Sequence, residues 1–403
     1  METRALHPLT PAAATVAPGD VLAETSPTSA PLGCYIHVPF CTRRCYYCSF
    51  NTSPLEDPAS MRRYLAAVRR EIELLSALPW ASRVEVGSLF FGGGTPSLLD
   101  ADAMAGLLDL TRTRLSVAAD AEVTVECNPE SVTRDKLAAY RMAGVNRLSL
   151  GVQSLDDGIL TRIGRLHDRH GARTAFEAAR QAGYDNVSVD LMYGLPGLDV
   201  GAWTRAVETV LDWQPEHLSA YGLTLDAGSL WGAAGVAGLP TEDDVVEQYW
   251  ALARAASARG LEHYEISNYA RAGFRSRHNL TYWRAGEYLA AGPGACGFVG
   301  DVRYGNLKPL ARYCATAEAG VLPIDTFERL TSAQRAAERL ILGLRTADGV
   351  PTAALAEPAA DNPRLARTLG DWRATGRLVE QGGRTRLSEA GFLVSDALFV
   401  DLL

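Results

Sequence analysis

From residue 34 onward, the chain alternates short apolar runs with longer segments that have helical periodicity. The apolar runs lie near residues 34–38, 87–91, 122–127, 147–152, 186–191 and 217–221. This alternation is typical of βα units, in which parallel strands form a sheet that helices cover, so the fold class is α/β. Six units fall short of the eight that close a complete barrel. The pattern therefore favours an open, partial (β/α)6 barrel, with a doubly wound open sheet as the alternative.

Two helix boundaries are marked by capping residues. Asp57 followed by Pro58 predicts the start of a helix over residues 59–78, because Asp is a good N-cap and Pro suits the first helical position. Thr241 predicts the start of another helix that runs towards Gly260.

Three regions follow from these patterns. Residues 1–32 are rich in Ala, Pro, Thr and Ser and are predicted to be a disordered extension. Residues 33–327 carry the βα pattern. Residues 328–403 contain helices, a hairpin predicted to turn at Gly382 and Gly383, and a last helix that ends at Leu403, which together resemble a winged helix. The alternative for this last region is a domain that only extends the packing of the core.

Charge and cysteine content restrict the partners. The net charge of -8 argues against nucleic acid as the default partner. The odd number of cysteines, seven, fits a reducing cytosol better than a disulfide framework, so we expect a cytoplasmic protein. No apolar run is long enough to span a bilayer.

Polar or glycine-rich signatures follow five of the predicted strands. They are the cysteine-containing loop after the first strand, Gly-Gly-Gly-Thr-Pro-Ser at residues 92–97, Glu126, Gln153 and Asp190. Each could serve a structural role, because three glycines can form a tight turn and a buried Glu can bond to nearby backbone. In barrels of this kind, however, function collects at the C-terminal ends of the strands. The sequence therefore predicts a functional rim.

The loop after the first strand carries Cys41, Cys45 and Cys48 in the spacing C-x3-C-x2-C. A closed structural metal site normally has four protein ligands, whereas three thiolates leave one coordination position for a reactant. A zinc site completed by Cys34 or His37 is the alternative. Both of these residues lie within the predicted strand, away from the loop tip.

The cysteine spacing and the aromatic Tyr47 just before the last cysteine resemble the radical S-adenosylmethionine (SAM) enzymes. The resemblance implies that Cys41, Cys45 and Cys48 hold a 4Fe-4S cluster and that SAM binds its fourth iron. In that family the reduced cluster passes one electron to SAM, which yields methionine and a 5′-deoxyadenosyl radical. It also implies an electron donor such as flavodoxin or ferredoxin.

From Tyr35 to the C-terminus the chain resembles one branch, the anaerobic coproporphyrinogen III dehydrogenases and their relatives. The resemblance rests on Phe-Phe-Gly-Gly-Gly-Thr-Pro-Ser, Val-Glu-Cys-Asn-Pro-Glu, Arg-Leu-Ser-Leu-Gly-Val-Gln-Ser and Asp-Leu-Met-Tyr-Gly-Leu-Pro-Gly. It implies a SAM site lined by Tyr35, Gly93, Gly94, Thr95, Glu126, Gln153, Arg165, Asp190 and Thr224. Carboxylates can accept bonds from the SAM amine and ribose, and Arg165 can pair a carboxylate. Thr224 depends on spacing alone.

Two departures count against the dehydrogenase. In that enzyme a further cysteine follows two positions after the third cluster cysteine, where this chain has Phe50. Residues 1–32 also lack the N-terminal pattern that is implicated in substrate oxidation there. Oxygen-independent oxidative decarboxylation of coproporphyrinogen III therefore becomes the alternative function.

The sequence His278-Asn279-Leu280-Thr281-Tyr282-Trp283 matches the H-N-x-x-Y-W motif of the haem chaperone branch, HemW. This resemblance implies that the chain binds haem and transfers it to an acceptor haemoprotein, membrane-associated acceptors included, and that His278, Asn279, Tyr282 and Trp283 belong to the haem site. From residue type alone, the motif can equally tie a loop to the backbone and pack a domain junction. SAM cleavage, homodimer formation and covalent attachment of haem stay open.

Other candidates carry less weight. A radical SAM enzyme that modifies tRNA is a third possibility, but it should have a basic RNA-binding appendage, and none is visible. Cys127, Cys296 and Cys314 are isolated and predicted to be buried, with Cys296 the thiol to test near haem. His167 and His170 are predicted to be exposed at a helix start.

Overall fold

The computed structural model of the chain describes residues 18–27 and 31–402. The strands are β1 (Leu32–Val38), β2 (Phe40–Cys41), β3 (Ser53–Pro54), β4 (Glu85–Gly93), β5 (Ser116–Cys127), β6 (Arg147–Gln153), β7 (Val187–Tyr193), β8 (His217–Gly222), β9 (Glu262–Glu265), β10 (Asn268–Ala270), β11 (Tyr288–Ala291), β12 (Cys296–Val299), β13 (Val302–Asn306), β14 (Ile324–Arg329), β15 (Val350–Pro351), β16 (Leu378–Gln381) and β17 (Arg384–Leu387). The helices are α1 (Pro18–Glu24), α2 (Pro58–Ser76), α3 (Ala101–Arg114), α4 (Arg134–Ala143), α5 (Asp157–Ile163), α6 (Arg169–Gln181), α7 (Val200–Asp212), α8 (Leu230–Ala234), α9 (Glu242–Ala258), α10 (Arg277–Trp283), α11 (Leu310–Glu318), α12 (Ser332–Leu344), α13 (Ala353–Asp361), α14 (Pro363–Ala374), α15 (Glu389–Leu393) and α16 (Ser395–Leu402).

The six predicted strands form the centre of the sheet. They are β1, β4, β5, β6, β7 and β8, they lie side by side in chain order, and each pairs in parallel with the next. A doubly wound sheet would reverse its strand order at a switch point. Here the order never reverses across these strands, so right-handed crossovers place the helices on one face, as in a barrel. The partial barrel is confirmed, with the C-terminal ends of its strands along one rim.

Strands that the sequence analysis did not predict extend the sheet on both sides. The full order is β14-β13-β12-β11-β1-β4-β5-β6-β7-β8-β10-β9, where β11 is parallel to β1 and the remaining added pairings are antiparallel. The added strands contain between three and six residues. Such short runs give weak periodicity, which is why the sequence pattern missed them.

Both predicted helix starts are confirmed. The Asp57 side chain accepts a hydrogen bond from the Ala59 N–H at 2.9 Å, and α2 starts at Pro58. Thr241 and Asp244 form a reciprocal capping box at the start of α9. These local signals depend on neighbouring residues only, so they survive in the folded chain.

The predicted disorder of residues 1–32 is wrong for its described part. Helix α1 lies there, and its Leu22 is 1% exposed and belongs to the main core, while the Leu22 carbonyl accepts a bond from the Trp80 indole at 2.9 Å. Burial of apolar surface orders this segment, which composition alone does not reveal. Residues 1–17 and 28–30 lie outside the described residues.

The C-terminal region has a hydrophobic core of its own. This core includes Leu344, Leu355, Leu369 and Leu387, separate from the core beneath the main sheet. Its three strands pair in the order β15-β17-β16, and β16 and β17 are joined through Gly382 and Gly383, which have φ of 60° and 75°. Two left-handed residues suit a tight hairpin, so the predicted turn is confirmed. The winged-helix assignment stays a prediction that this order of elements supports.

The predicted boundary between residues 327 and 328 falls inside β14, which still belongs to the main sheet. The second core takes over with α12, so the structural boundary lies slightly later than the sequence pattern indicated. Among the described residues, no helix has the length and apolar character required to cross a membrane.

Candidate functional site

The three clustered cysteines lie directly after β1, at the C-terminal rim. Cys41 ends β2 and is buried, whereas Cys45 and Cys48 are half-buried. The loop is held by backbone bonds: the Cys48 N–H donates to the Cys45 carbonyl, and the Tyr46 N–H donates to Ile163 O, both at 3.2 Å. Side chains also reach the sulfurs, because Thr95 Oγ1 donates to Cys41 Sγ at 3.6 Å and Arg165 Nη1 lies 3.8 Å from Cys45 Sγ. The loop is thus fixed at both ends.

Burial raises the pKa of the Cys41 thiol to about 11, although the Thr95 hydrogen bond opposes this shift and the charges of Cys48 and Cys45 add to it. Burial also raises the pKa of Cys48. A bound cationic centre stabilises thiolates, so this set of mutually interacting thiols fits a metal cluster. As the described residues stand, neither these three thiols nor any other three His, Cys, Asp or Glu side chains are arranged to hold a metal ion, so the fit to a cluster rests on the chemistry of the thiols and not on their present geometry.

The zinc alternative required Cys34 or His37 as a fourth ligand. Cys34 lies within β1, is 1% exposed, and has a pKa raised to about 12 by burial and by the charge of Glu71. His37 is hydrogen-bonded at both ring nitrogens, Nδ1 to Tyr35 Oη and Nε2 to Asn51 O, each at 2.9 Å. The structure therefore gives the loop no fourth ligand from these two residues.

The glycine turn at residues 92–95 packs against the cysteine loop. A Cβ at Gly94 would lie 2.5 Å from the Phe40 carbonyl oxygen, and one at Gly93 would lie 2.4 Å from the His37 ring. The N–H groups of Gly94 and Thr95 donate to Val38 O and Phe40 O at 2.8 and 2.7 Å. Glycine is required here by close approach of the chain. These two N–H groups already donate within the chain, so a contact with SAM would have to use the carbonyl groups of the turn. That contact stays a prediction.

Two carboxylates from neighbouring parts of the rim face each other. Burial, and next the negative charge of Asp190, raises the pKa of Glu126 to about 7. Asp190 lies within β7, where it accepts bonds from Ser149 Oγ at 2.8 Å and Ser188 Oγ at 3.0 Å. Glu126 Oε2 accepts from the Gly93 N–H at 3.1 Å. The two acids thus leave acceptor capacity for a ligand with N–H or O–H groups.

Arg165 joins the cysteine loop to the barrel. Its Nη2 donates to Asn128 Oδ1 at 2.9 Å and also to the Gly151 carbonyl, while its Nε is buried without a hydrogen-bond partner. An unsatisfied buried donor fits a site that is completed by an anionic group. Gln153 ends β6 with φ of 65°, a conformation that non-glycine residues rarely adopt and that is often found at functional sites.

The other two residues assigned to SAM also lie towards the rim. The Tyr35 ring stacks on Phe90 with centroids 6.2 Å apart, on the inner side of the barrel. Thr224 follows β8 by two residues and is exposed. The structure thus brings the predicted residues to one end of the barrel, whereas their contact with SAM stays a prediction.

His278 lies deep inside the barrel instead of at the rim. It is 1% exposed, its Nδ1 lies 2.9 Å from Ser88 Oγ, and its Nε2 lies 2.7 Å from Tyr282 Oη. Its backbone N–H donates to Glu122 at 2.9 Å, and its ring stacks on Phe90. Burial, with a smaller contribution from Arg147, lowers the pKa of His278 to about 3. The ring is neutral and both of its nitrogens are engaged.

The rest of the motif packs α10 into the fold. Trp283 is 8% exposed, and its ring lies 4.7 Å from the guanidinium carbon of Arg345, which follows α12. The Asn279 N–H donates to the capping hydroxyl of Ser276 at 3.3 Å. This packing matches the structural interpretation, a domain junction, and the predicted haem ligation by His278 has no support from the ring's surroundings.

Two minor predictions are wrong. Cys296 is exposed, because β12 begins at this position, whereas Cys127 and Cys314 are buried as predicted. His167 is 7% exposed and bonds to Glu130 Oε2 at 3.3 Å and Val152 O at 3.1 Å. It therefore supports the turn that carries Arg165 instead of facing solvent, whereas His170 is exposed as predicted.

Sequence reasoning also missed the residues that position the site. Asn128 donates to Thr95 Oγ1 at 3.1 Å and accepts from Arg165. Ser149 and Ser188 hold Asp190. Alternation within β6 was an available signal, since Arg147, Ser149 and Gly151 fall on one face of that strand.

Comparison with known proteins gives two family matches along the chain. Residues 35–210 match the Radical SAM superfamily, and residues 330–394 match the HemN C-terminal domain. The first match covers the rim residues described above except Thr224, and the second covers most of the C-terminal region.

Similar proteins extend over most of the chain. The heme chaperone HemW of Mycobacterium tuberculosis strain H37Rv is 37% identical over 378 residues, which are 93% of this chain and 95% of that protein. The bovine mitochondrial radical S-adenosyl methionine domain-containing protein 1 is 38% identical over 338 residues, 81% of this chain and 75% of that protein. The Escherichia coli coproporphyrinogen III oxidase HemN has a similar fold, with a TM-score of 0.81, 22% identity, and coverage of 92% of this chain and 90% of that one.

Proposed function

Because this chain belongs to the HemW family within the radical SAM superfamily, we propose that it is a heme chaperone, which binds haem and transfers it to an acceptor haemoprotein. The observation that carries this proposal is the 37% identity to the heme chaperone HemW of M. tuberculosis over 95% of that protein. Phe50, in place of the additional cysteine of the dehydrogenases, also favours the chaperone branch.

The cysteine loop holds a 4Fe-4S cluster in this proposal. Cys41, Cys45 and Cys48 each supply one thiolate, which leaves one iron for SAM. When bound, the reduced cluster supplies an electron to SAM. The chain contributes a loop fixed by backbone bonds, and hydrogen-bond donors from Thr95 and Arg165 that stabilise thiolate charge.

SAM binds beside the cluster at the rim. Glu126 and Asp190 accept hydrogen bonds from its amine and hydroxyl groups, and the buried, unpartnered Nε of Arg165 pairs its carboxylate. Tyr35, Gln153 and Thr224 line the same region, with the turn that contains Gly93, Gly94 and Thr95. SAM exchange and SAM cleavage are separate properties, and only binding follows from these contacts.

Haem enters from the open side of the barrel in this proposal, and α10 forms part of the wall below it. Asn279, Tyr282 and His278 act by keeping that wall in place, since their side chains and backbone are engaged within the fold. The acceptor is a haemoprotein, and a flavodoxin or ferredoxin supplies the electron. The protein acts in the cytoplasm, where thiols stay reduced.

The test is one anaerobic reconstitution with iron, sulfide and SAM, divided between two assays. We expect stoichiometric retention of haem through gel filtration, and no conversion of coproporphyrinogen III to protoporphyrinogen IX with SAM and a reductant. The matched control is Cys34→Ala, which removes a cysteine outside the loop. Failure to retain haem contradicts the proposal, and formation of protoporphyrinogen IX would instead identify the chain as the dehydrogenase.

A further inference from the structure

An arginine and a threonine lie side by side on the inner face of the barrel, and each has a buried polar atom without a hydrogen-bond partner among the described residues. Arg147 begins β6 and pairs in register with Thr124 of β5. Arg147 is 2% exposed and Thr124 is fully buried. Side chains alternate along a strand, so Arg147 shares the inner face of β6 with Ser149, whose hydroxyl bonds to Asp190.

Neither polar group is satisfied. Arg147 Nε and Thr124 Oγ1 are both buried without a hydrogen-bond partner, and the Arg147 side chain makes no ion pair or hydrogen bond to any residue that the structure describes. Buried charges in proteins are almost always paired, because removing a charge from water is costly. Two unsatisfied donors on adjacent strands indicate a site for an acceptor.

A half-buried arginine elsewhere in the fold shows how the chain pairs a guanidinium when it supplies the partners itself. Arg303 donates two hydrogen bonds to Glu338, at 2.7 and 2.8 Å, and a third to Glu328 at 2.9 Å. A guanidinium can form such a forked contact with any carboxylate. No described residue gives Arg147 such a contact, which leaves its guanidinium available to a carboxylate of a ligand.

The charge of Arg147 acts on groups towards both ends of the barrel interior. Burial raises the pKa of Glu126 and of Asp190 near the rim, and the positive charge of Arg147 acts to lower both pKa values. Towards the base, the same charge adds to the effect of burial on the pKa of His217 and His278. The guanidinium thus lies within electrostatic reach of the residues that line the interior from several elements.

We propose that Arg147 and Thr124 form a carboxylate-binding site inside the barrel and, resting on the proposed function, that the carboxylate is a propionate group of haem. Arg147 supplies the charge and the forked donors, and Thr124 supplies a hydroxyl donor beside it. The site orients haem by its acidic edge, without any bond to the iron.

SAM is the other ligand that carries a carboxylate. Arg165 is better placed for the SAM carboxylate, because it contacts the cysteine loop at Cys45, whereas Arg147 starts its strand at the opposite end from the rim. Loss of Arg147 should therefore weaken haem binding and leave SAM binding unchanged.

The experiment compares haem with haem dimethyl ester, in which both propionates are neutral. It uses the anaerobically reconstituted full chain and measures dissociation constants by absorbance titration, with SAM affinity measured in parallel. The variants are Arg147→Gln and Thr124→Val, which keeps the side-chain shape. The matched control is Arg180→Gln, which removes an arginine that is paired with Glu216 outside the barrel.

We expect wild type and Arg180→Gln to bind haem more tightly than its ester. Arg147→Gln should bind haem about ten- to a hundredfold more weakly than wild type, with ester binding unchanged, as expected for loss of a hydrogen bond to a charged group. Thr124→Val should show a smaller loss in the same direction, which keeps the test informative if Arg147→Gln does not fold.

Three results overturn the proposal, and they differ from one another. Equal binding of haem and ester by wild type rejects the propionate site while the chaperone function stands. Weaker SAM binding by Arg147→Gln, with haem binding retained, assigns the site to SAM. Absence of haem binding by wild type rejects both the site and the proposed function.

Discussion

The phenol oxygen of Tyr282 lies 2.7 Å from Nε2 of His278, one helical turn away along α10. Because Ser88 occupies the other ring nitrogen at 2.9 Å, the imidazole has no free nitrogen for an iron. In this structure, residues 278–283, the motif that most clearly resembles the haem chaperones, therefore serve to pack α10 into the fold.

Replacing His278 by Ala should leave the absorption maxima of bound haem unchanged and should lower the stability of the chain. The change removes two buried hydrogen bonds and leaves a cavity, which together cost about 3 kcal/mol. Haem spectra and urea unfolding would measure the two effects. Ser88→Ala is the matched control, and it should cost less because it removes one bond. A shifted haem spectrum in His278→Ala with normal folding would restore His278 as a ligand.

Glu71 should make the stability of the chain depend on pH. Burial raises its pKa to about 7, although hydrogen bonds from Tyr313, Gly292 and Asn306 oppose this shift. The folded state then holds the proton more tightly than the unfolded state, so the stabilisation is complete below pH 4.5 and is lost as pH rises towards 7. The free energy of unfolding falls by about 3 kcal/mol over this pH range.

The variant Glu71→Gln should remove this pH dependence, because an amide does not ionise. Asn306 can accommodate the amide, since its Oδ1 is buried without a partner and can turn to accept a bond. Urea unfolding measures the free energy of unfolding at pH 5 and at pH 8. The difference in this free energy between wild type and variant should change by about 3 kcal/mol between the two pH values. A constant difference at both pH values would mean that Glu71 stays ionised throughout.

Each of the three loop cysteines should be needed for the cluster. Cys41→Ala, Cys45→Ala and Cys48→Ala should each abolish the visible absorbance that reconstitution produces, because three thiolates are the minimum set in the loop. Cys34→Ala and Cys296→Ala are the controls, one buried and one exposed, and they should reconstitute normally. A normal cluster in any of the loop variants would refute the assigned ligands.

Replacing Arg165 by Gln should weaken SAM binding by about tenfold or more, the effect of removing a charged partner of a carboxylate. Iron content should fall less than in the cysteine variants, since Arg165 contacts Cys45 without being a ligand. Isothermal titration with SAM after reconstitution measures the first effect. The control is Arg162→Gln, an exposed arginine bonded to Ala237 O. Equal SAM affinity in both variants would remove Arg165 from the site.

The sequence predicted those parts of the fold that depend on local patterns. All six parallel strands, the caps at Asp57 and Thr241, and the hairpin at Gly382 follow from periodicity and turn chemistry. The same alternation placed Glu126 at the rim, because parallel strands end along one edge.

The missed features depend on contacts between distant parts of the chain. Strands β9 to β14 are short, and pairing with the central sheet determines them. Helix α1 is ordered by burial of Leu22. His278 Nδ1 bonds to Ser88, which lies 190 positions away in sequence, and the unpartnered Nε of Arg147 depends on side chains from several strands, none of which, among the described residues, reaches it. No local pattern reports such relationships.

Whether this radical SAM-type chain binds haem is tested most directly by an anaerobic haem titration of the reconstituted protein. We expect a saturable change in the haem spectrum at equimolar haem, unaltered in His278→Ala and weakened in Arg147→Gln. A titration in which wild type gives only the spectrum of free haem would contradict this expectation.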